Sequence, residues 1–147
     1  MSVGKRIFLQ RHMPDPEIMK EFKTIPASNV GDVMNRNSAM NPRIRLVSSP
    51  SSQMMVGPAL TVKLRAGDKL ALHAALNICK EGDVLVVSNE GEQGRALMGE
   101  VMMAYLMCTK KVAGIVLDGP IRDIDEIGKW DFPVYATGTT PGGPYKE

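Results

Sequence analysis

An α/β layered domain with a mixed, partly parallel central sheet is the fold class that the sequence predicts. Three observations predict it. Residues 84–87 and 113–117 are short β-rich runs with almost no polar side chains, the pattern of strands buried on both faces. From residue 84 onward, strand-like and helix-like segments alternate as strand, helix, strand, helix, strand, which implies right-handed crossovers and parallel pairing. The composition is that of one globular domain: 147 residues, 44% hydrophobic, 23% charged, net charge +2. Low net charge with ordinary apolar content excludes wholesale disorder. No window approaches the roughly 18 consecutive apolar residues of a membrane span.

The elements follow in order. Residues 15–23 place Ile18, Met19 and Phe22 on one helical face, with acidic residues early and Lys23 late, as the helix dipole favours. Ser28 offers an N-cap for a second short helix through Met34. Residues 35–53, rich in Asn, Ser, Pro and Arg, form a loop with one strand at 44–47. Residues 57–64 alternate as a strand. Residues 69–80 carry Leu70, Leu72, His73, Leu76 and Cys79 at helical spacing. Gly82-Asp83 turns into the strand at 84–87, and residues 88–98 form a polar loop containing Gly91 and Gly94. A helix at 99–110 follows, with Met98, Met102, Met103, Leu106 and Met107 spaced to fill a core. The strand at 113–117 ends at Asp118-Gly119-Pro120, residues 121–127 turn into a helix, and 133–137 form the last strand. Residues 1–23 are a helical lead-in and 24–147 the domain proper.

Charge and cysteine usage narrow the function classes. Eighteen Lys and Arg face 16 Asp and Glu, with eight basic and four acidic residues in 1–50 and ten and twelve in the rest. That scattered N-terminal excess is a solvated surface and no footprint for nucleic acid. Cys79 and Cys108 lack metal-site or redox spacing and lie in apolar periodic stretches, so buried free thiols are expected. Met1-Ser2-Val3-Gly4-Lys5-Arg6 lacks the apolar stretch of a signal peptide, so a cytoplasmic location is expected.

In parallel α/β units, ligands gather beyond the carboxyl ends of the strands. The strand ending at Val87 leads to a helix start at Gly99-Glu100, and the strand ending at Leu117 leads to Asp118 and Arg122-Asp123. If these strands are neighbours, both loops open on one edge. Free N–H groups of Glu100, Val101 and Met102 can then hold a carboxylate or phosphate. Arg122 can hold a carboxylate or keto oxygen with two prongs. Asp123 and Glu100 are hard oxygen ligands suited to Mg²⁺ or Mn²⁺. A divalent ion over a 2-keto acid stabilises an enolate, which serves carbon–carbon cleavage beside a carbonyl. The bland alternatives stay open. Glu100, Asp123, Asp125 and Glu126 are also what a helix dipole selects in a first turn. Arg122 beside Asp123 is as often a surface pair. His73 reads as a satisfied core or interface histidine, and Asp118-Gly119 as a turn alone.

The segments Gly82-Asp83-Val84-Leu85-Val86-Val87, Gly99-Glu100 and Gly114-Ile115-Val116-Leu117-Asp118-Gly119-Pro120-Ile121-Arg122-Asp123 resemble the RraA-like family. Gly57-Pro58-Ala59-Leu60-Thr61-Val62 and Pro133-Val134-Tyr135-Ala136 also fit its pattern. The resemblance covers about residues 24–145, and its most specific part is Asp-Gly-x-x-Arg-Asp. The family comprises 4-hydroxy-4-methyl-2-oxoglutarate aldolases that also decarboxylate oxaloacetate, and RraA regulators of ribonuclease E. Some members bear a dimethylmenaquinone methyltransferase label, and no S-adenosylmethionine site is visible in this sequence.

The resemblance implies a swivelling β/α-type layered sandwich and a homotrimer or homohexamer. It also implies these roles: Arg122 holds the pyruvate end of a small 2-keto acid, Asp123 binds Mg²⁺ or Mn²⁺, Glu100 contacts the metal's water and helps proton transfer, and Gly99 with the amides of Val101 and Met102 binds the substrate carboxylate. In the family the spacing between the acidic residue and the Arg-Asp pair is one residue shorter than the 21 residues between Glu100 and Arg122 here. The extra residue is expected near 108–111, absorbed in the loop. Family members continue for several strands beyond the segment resembling 138–144, and a neighbouring subunit's later region adds an acidic residue to the site. A chain ending at Pro141-Gly142-Gly143-Pro144-Tyr145-Lys146-Glu147 is therefore expected to lack those strands. The expected function is a metal-dependent lyase acting on a 2-keto acid, releasing pyruvate by retro-aldol cleavage or decarboxylating oxaloacetate. The rivals are a non-catalytic regulator that masks another protein and a lyase with a different small carboxylate as substrate.

Overall fold

A computed structural model describes residues 6–52 and 54–145. The expectations resting on 1–5 and 146–147 lie outside the described residues. The elements are α1 (Pro16–Phe22), α2 (Ala27–Val33), β1 (Arg45–Leu46), β2 (Ala59–Lys63), α3 (Leu70–Ile78), β3 (Val84–Ser88), α4 (Glu100–Ala104), a π-helix (Tyr105–Lys110), β4 (Gly114–Asp118), α5 (Ile124–Ile127) and β5 (Val134–Ala136). One five-stranded sheet runs in the order β1-β5-β4-β3-β2. β2, β3, β4 and β5 pair in parallel, and β1 closes the far edge antiparallel to β5. This is the mixed, mostly parallel sheet that the alternating segments predict.

The two central strands are buried as their apolar runs require. Leu85 and Val87 of β3 and Ile115 and Leu117 of β4 are all at most 1% exposed. Leu72, Ala75 and Cys79 of the α3 region close one side of the core. Met98, Met103 and Leu106 from the α4 region bury in the same core, with Met102 and Met107 packed half-buried against it. The methionines of this helix are thus mainly core filling, where an unbranched thioether adapts to irregular gaps.

Several local expectations change. The N-cap of α2 is Pro26, with no side-chain cap, so Ser28 lies inside the helix. In α1, Asp15 caps the Glu17 amide as a helix start should. Its apolar face stays open, with Ile18 and Phe22 at 49% and 39% exposure. The N-terminal charge is not all solvated surface, because Arg11 reaches the wholly buried Asp83 at 2.9 Å. The helix expected at 99–110 is α only to Ala104 and π thereafter, ending on Lys111 in the left-handed region at φ 53°. The Lys111 and Val112 amides both return to the Leu106 carbonyl. A π turn holds more residues than an α turn over the same path. Such a turn lies within the span between Glu100 and Arg122. Lys110 fixes this widened turn by donating to the Asn77 carbonyl at the end of α3, at 2.8 Å.

The cysteines divide. Cys79 is buried and Cys108 is exposed, and both are free. The exposure of Cys108 overturns the expectation of two buried thiols: at helical spacing it lies opposite the face that buries Met98, Met103 and Leu106. Burial, and then the negative charge of Asp83, push the Cys79 thiol up to about 11. At pH 8 Cys79 is therefore almost entirely in the unreactive thiol form. A thiol-directed chromophoric reagent should titrate one cysteine quickly in the folded protein at pH 8 and the second only after denaturation. A Cys108→Ser variant should lose the fast phase. Two equally fast thiols would contradict the assignment.

Candidate active site

The loops that leave β3 and β4 at their carboxyl ends run side by side. Leu97 N–H donates to the Pro120 carbonyl at 2.9 Å, and Arg122 N–H to the Met98 carbonyl at 3.1 Å. Met98 bridges Ile121 in parallel, and Ile121 bridges Thr139 from the loop after β5. Three chain extensions thus continue the parallel pairing beyond the main sheet. The pairing needs a small residue at Gly119, where a Cβ would lie 2.8 Å from Leu97 Cδ1.

This stitching brings four of the expected site residues together. Gly99 and Glu100 open α4 directly beside Arg122 and Asp123. The Asp123 carboxylate accepts the Glu100 amide at 3.0 Å, and the same oxygen lies 3.4 Å from Arg122 Nε. Asp123 itself adopts the left-handed region at φ 60° and starts α5 with its backbone, its carbonyl accepting from Ile127 N–H. Asp tolerates that conformation better than most residues. One residue therefore serves two helices, beginning α5 through its main chain and capping α4 through its side chain. Gly99 is favoured by the closeness, since any Cβ would force the Asp123 and Arg122 side chains to shift. A Cβ there would overlap Asp123 Oδ2 and sit 2.7 Å from Arg122 Nε.

The Glu100 amide is not free, as the sequence reading assumed, because Asp123 occupies it. The amides of Val101 and Met102 precede the first bond within the helix, from Met103 N–H to the Gly99 carbonyl, so they remain the open donors of the first turn. The Val101 side chain is exposed and Met102 is half-buried. Arg122 and Asp123 are about half exposed, so their pairing contributes little to stability, and their side chains stay accessible. Glu126 pairs with Lys129 at 2.9 Å on the surface of α5, the bland reading for that acidic residue. His73 is half-buried on α3.

Two further residues hold the rim, and sequence reasoning missed both. Arg43 grips Asp118 at the end of β4 with Nε and Nη2, each at 2.8 Å. The hydrogen bond to Asp118, and then its charge, hold Arg43 protonated even above its ordinary value. Asp118 is thus an anchor for the loop before β1 and more than a turn residue. Asn89, wholly buried, accepts the Gly67 amide at 3.0 Å and donates to the Glu92 carbonyl at 2.9 Å, tying the loops after β2 and β3 together. An amide side chain directly after an apolar strand was the one sequence signal available for Asn89. Nothing local marks Arg43.

Asp123 and Glu100 set the limits of any metal site. Among the described residues no group of three or more His, Cys, Asp or Glu is placed to hold a metal. Asp123 Oδ1 carries no hydrogen bond among the described residues, so the carboxylate keeps acceptor capacity. Mg²⁺ retains several waters and binds through one or two carboxylates. The donor set therefore fits a largely hydrated hard cation and does not fit a dehydrated cage. No helix among the described residues is long and apolar enough to cross a membrane.

A family model described as RraA-like, Aldolase/RraA, matches residues 27–147. The chain is similar to a Halalkalibacterium halodurans protein named "Putative 4-hydroxy-4-methyl-2-oxoglutarate aldolase". The two are 32% identical over 124 residues, which is 84% of this chain and 58% of that relative. The chain thus spans little more than half the length of that curated relative. Among solved structures, it resembles one from Geobacillus kaustophilus titled as an S-adenosylmethionine: 2-dimethylmenaquinone methyltransferase. That match has 30% identity and a TM-score of 0.71 over 84% of this chain and 74% of the other. It also resembles a Streptomyces coelicolor protein described as an unusual member of the RNase ES inhibitor RraA protein family. Here identity is 28% and the TM-score 0.67, over 88% of this chain and 67% of the other.

Replacing Gly99 by Ala should destabilise the protein by about 1–3 kcal/mol through overpacking. In denaturant unfolding its cost should fall when Asp123→Ala is added, because the clashing carboxylate is then gone. Additive costs in the double variant would contradict the geometry.

Proposed function

The chain belongs to the RraA-like family, and from that premise we propose that it is a divalent-metal-dependent lyase acting on a small 2-keto acid. The reaction is retro-aldol release of pyruvate from substrates of the 4-hydroxy-4-methyl-2-oxoglutarate type, oxaloacetate decarboxylation, or both. The observation that carries this reading is the closure of Gly99-Glu100 on Arg122-Asp123, which gathers a guanidinium, the Asp123 carboxylate and unbonded helix amides at one sheet edge, with Glu100 opening the helix beside them.

Asp123, with Glu100 beside it, would hold Mg²⁺ or Mn²⁺ in a mostly hydrated state. Such an ion supplies Lewis-acid polarisation of the keto oxygen. The chain's own residues do the rest. The Val101 and Met102 amides bind the substrate carboxylate at the positive end of α4. Arg122 places its planar fork on the keto oxygen, where negative charge develops as the carbon–carbon bond breaks, and so stabilises the enolate. Glu100, exposed at the start of α4, moves the proton that accompanies cleavage. Asp123 Oδ2, by accepting the Glu100 amide, keeps the helix end and Arg122 in one orientation. Assembly as a homotrimer or homohexamer belongs to the same proposal.

A second reading is a non-catalytic protein-binding regulator, favoured by the 28% identity to the Streptomyces coelicolor member of an inhibitor family. Pyruvate release from oxaloacetate and from 4-hydroxy-4-methyl-2-oxoglutarate, measured with and without Mg²⁺, separates the two. The lyase reading expects metal-dependent turnover. Arg122→Ala and Asp123→Ala should each lower kcat/KM by about 10²-fold or more, as loss of a group that stabilises developing charge does. Folded protein with no metal-dependent turnover on either substrate would contradict it.

A further inference from the structure

A cavity of about 420 Å³ opens between residues 6–14 and the layer formed by β2 and α3. Neither Gly99, Glu100, Arg122 nor Asp123 lines it, so it stands apart from the lyase site. Its size lies within the range of small-molecule pockets. Its floor is apolar: Leu60 and Val62 come from β2, and Ala71, Ala74 and Ile78 from α3. The alanines explain the space, since larger side chains on this face of α3 would fill it. Phe8 and Met13 border it from the N-terminal segment, both exposed.

The charged side chains that line this apolar floor are cationic, although Arg11 and Lys63 each have a carboxylate behind them in Asp83 and Glu90. Arg6, Arg11 and Lys63 line the cavity together with His12, and no Asp or Glu among the described residues does. Lys63 is drawn outward to Glu90 at 3.5 Å, which leaves the two arginines as partners for an anion. Arg11 gives Nη2 to Asp83 at 2.9 Å, and both its Nη1 and the facing Asp83 Oδ1 are buried without a hydrogen-bond partner. A buried donor left unmade is costly, and a guanidinium with an idle nitrogen is suited to a carboxylate.

We propose that this cavity binds an amphiphilic carboxylate, its acyl chain on Ala71, Ala74 and Ile78 and its headgroup at Arg11 and Arg6. Charge complementarity selects the anion, and the alanine-lined floor selects the chain. The segment 6–14 is then a strap over the ligand, held down by the Arg11–Asp83 pair.

Isothermal calorimetry of the whole chain with decanoate, decanol and decylammonium tests this. Decanoate should bind saturably, one per chain, and at least about ten-fold tighter than decanol, the discrimination that one charge-assisted contact gives. Decylammonium should not bind. Ala74→Phe should abolish decanoate binding with thermal unfolding intact, and Ala71→Leu serves where that variant does not fold. Arg6→Gln should weaken decanoate and leave decanol unchanged. Equal affinity for decanoate and decanol would overturn the proposal, as would absence of saturable binding. Unaltered binding in folded Ala74→Phe would overturn it too. A change in the sedimentation of ligand-free Ala74→Phe would assign the face to a second copy of the chain and also overturn it.

Discussion

Two backbone hydrogen bonds, from Leu97 N–H to the Pro120 carbonyl and from Arg122 N–H to the Met98 carbonyl, join the segments that leave β3 and β4. Everything at the candidate site is hung from them. They hold Gly99 against Arg122 closely enough that a Cβ would displace the Arg122 and Asp123 side chains. They also let Asp123 cap a helix that begins 23 residues earlier. The parallel sheet makes them possible, since parallel neighbours send both loops to the same edge. The core beneath is what keeps them there: Leu97, Met98 and Ile121 are at most 2% exposed, so the stitching cannot part without exposing apolar surface to water.

The same constraint makes Asp123 a cap, and the proposed lyase reading would ask a second function of it with opposite demands. As a cap it satisfies an orphan amide and rewards rigidity. As a metal ligand it must keep an oxygen for an ion. A carboxylate has the lone pairs for both, and committing Oδ2 to Glu100 orients the group before any ligand arrives. Preorganisation of this kind is what makes fixed dipoles effective at a reacting centre. The Arg43–Asp118 clamp and the buried Asn89 extend it outward, fixing the loops around the site by long-range contacts and not by local structure.

The sequence made the sheet legible because β3 and β4 are buried on both faces, and such strands leave continuous apolar runs. Met98 and Met103 were legible as core for the same reason, since helical spacing reports the buried face whatever the helix type. That insensitivity hid the π-helix, since α and π turns carry similar side-chain patterns and differ in backbone bonding. Cys108 was misread because lying within an apolar stretch is not the same as lying on its buried face. The spatial grouping of Gly99, Glu100, Arg122 and Asp123 was legible through motif and topology together. The bond between Asp123 and Glu100 was not, because an acidic residue before α5 looks like the helper of its own helix. Arg11 and Arg43 were invisible for a related reason. Their partners lie 72 and 75 residues away, and only the folded chain selects one carboxylate among many.

The central claim is that one carboxylate, Asp123, both caps α4 and holds the divalent ion. Paramagnetic broadening of backbone amides by substoichiometric Mn²⁺, followed by ¹⁵N-resolved NMR on the folded chain, addresses it directly. The account predicts that the amides of Glu100, Arg122 and Asp123 broaden first and that Asp123→Asn removes this broadening while the sheet resonances stay in place. Broadening centred on other acidic residues, or the same pattern persisting in Asp123→Asn, would contradict it.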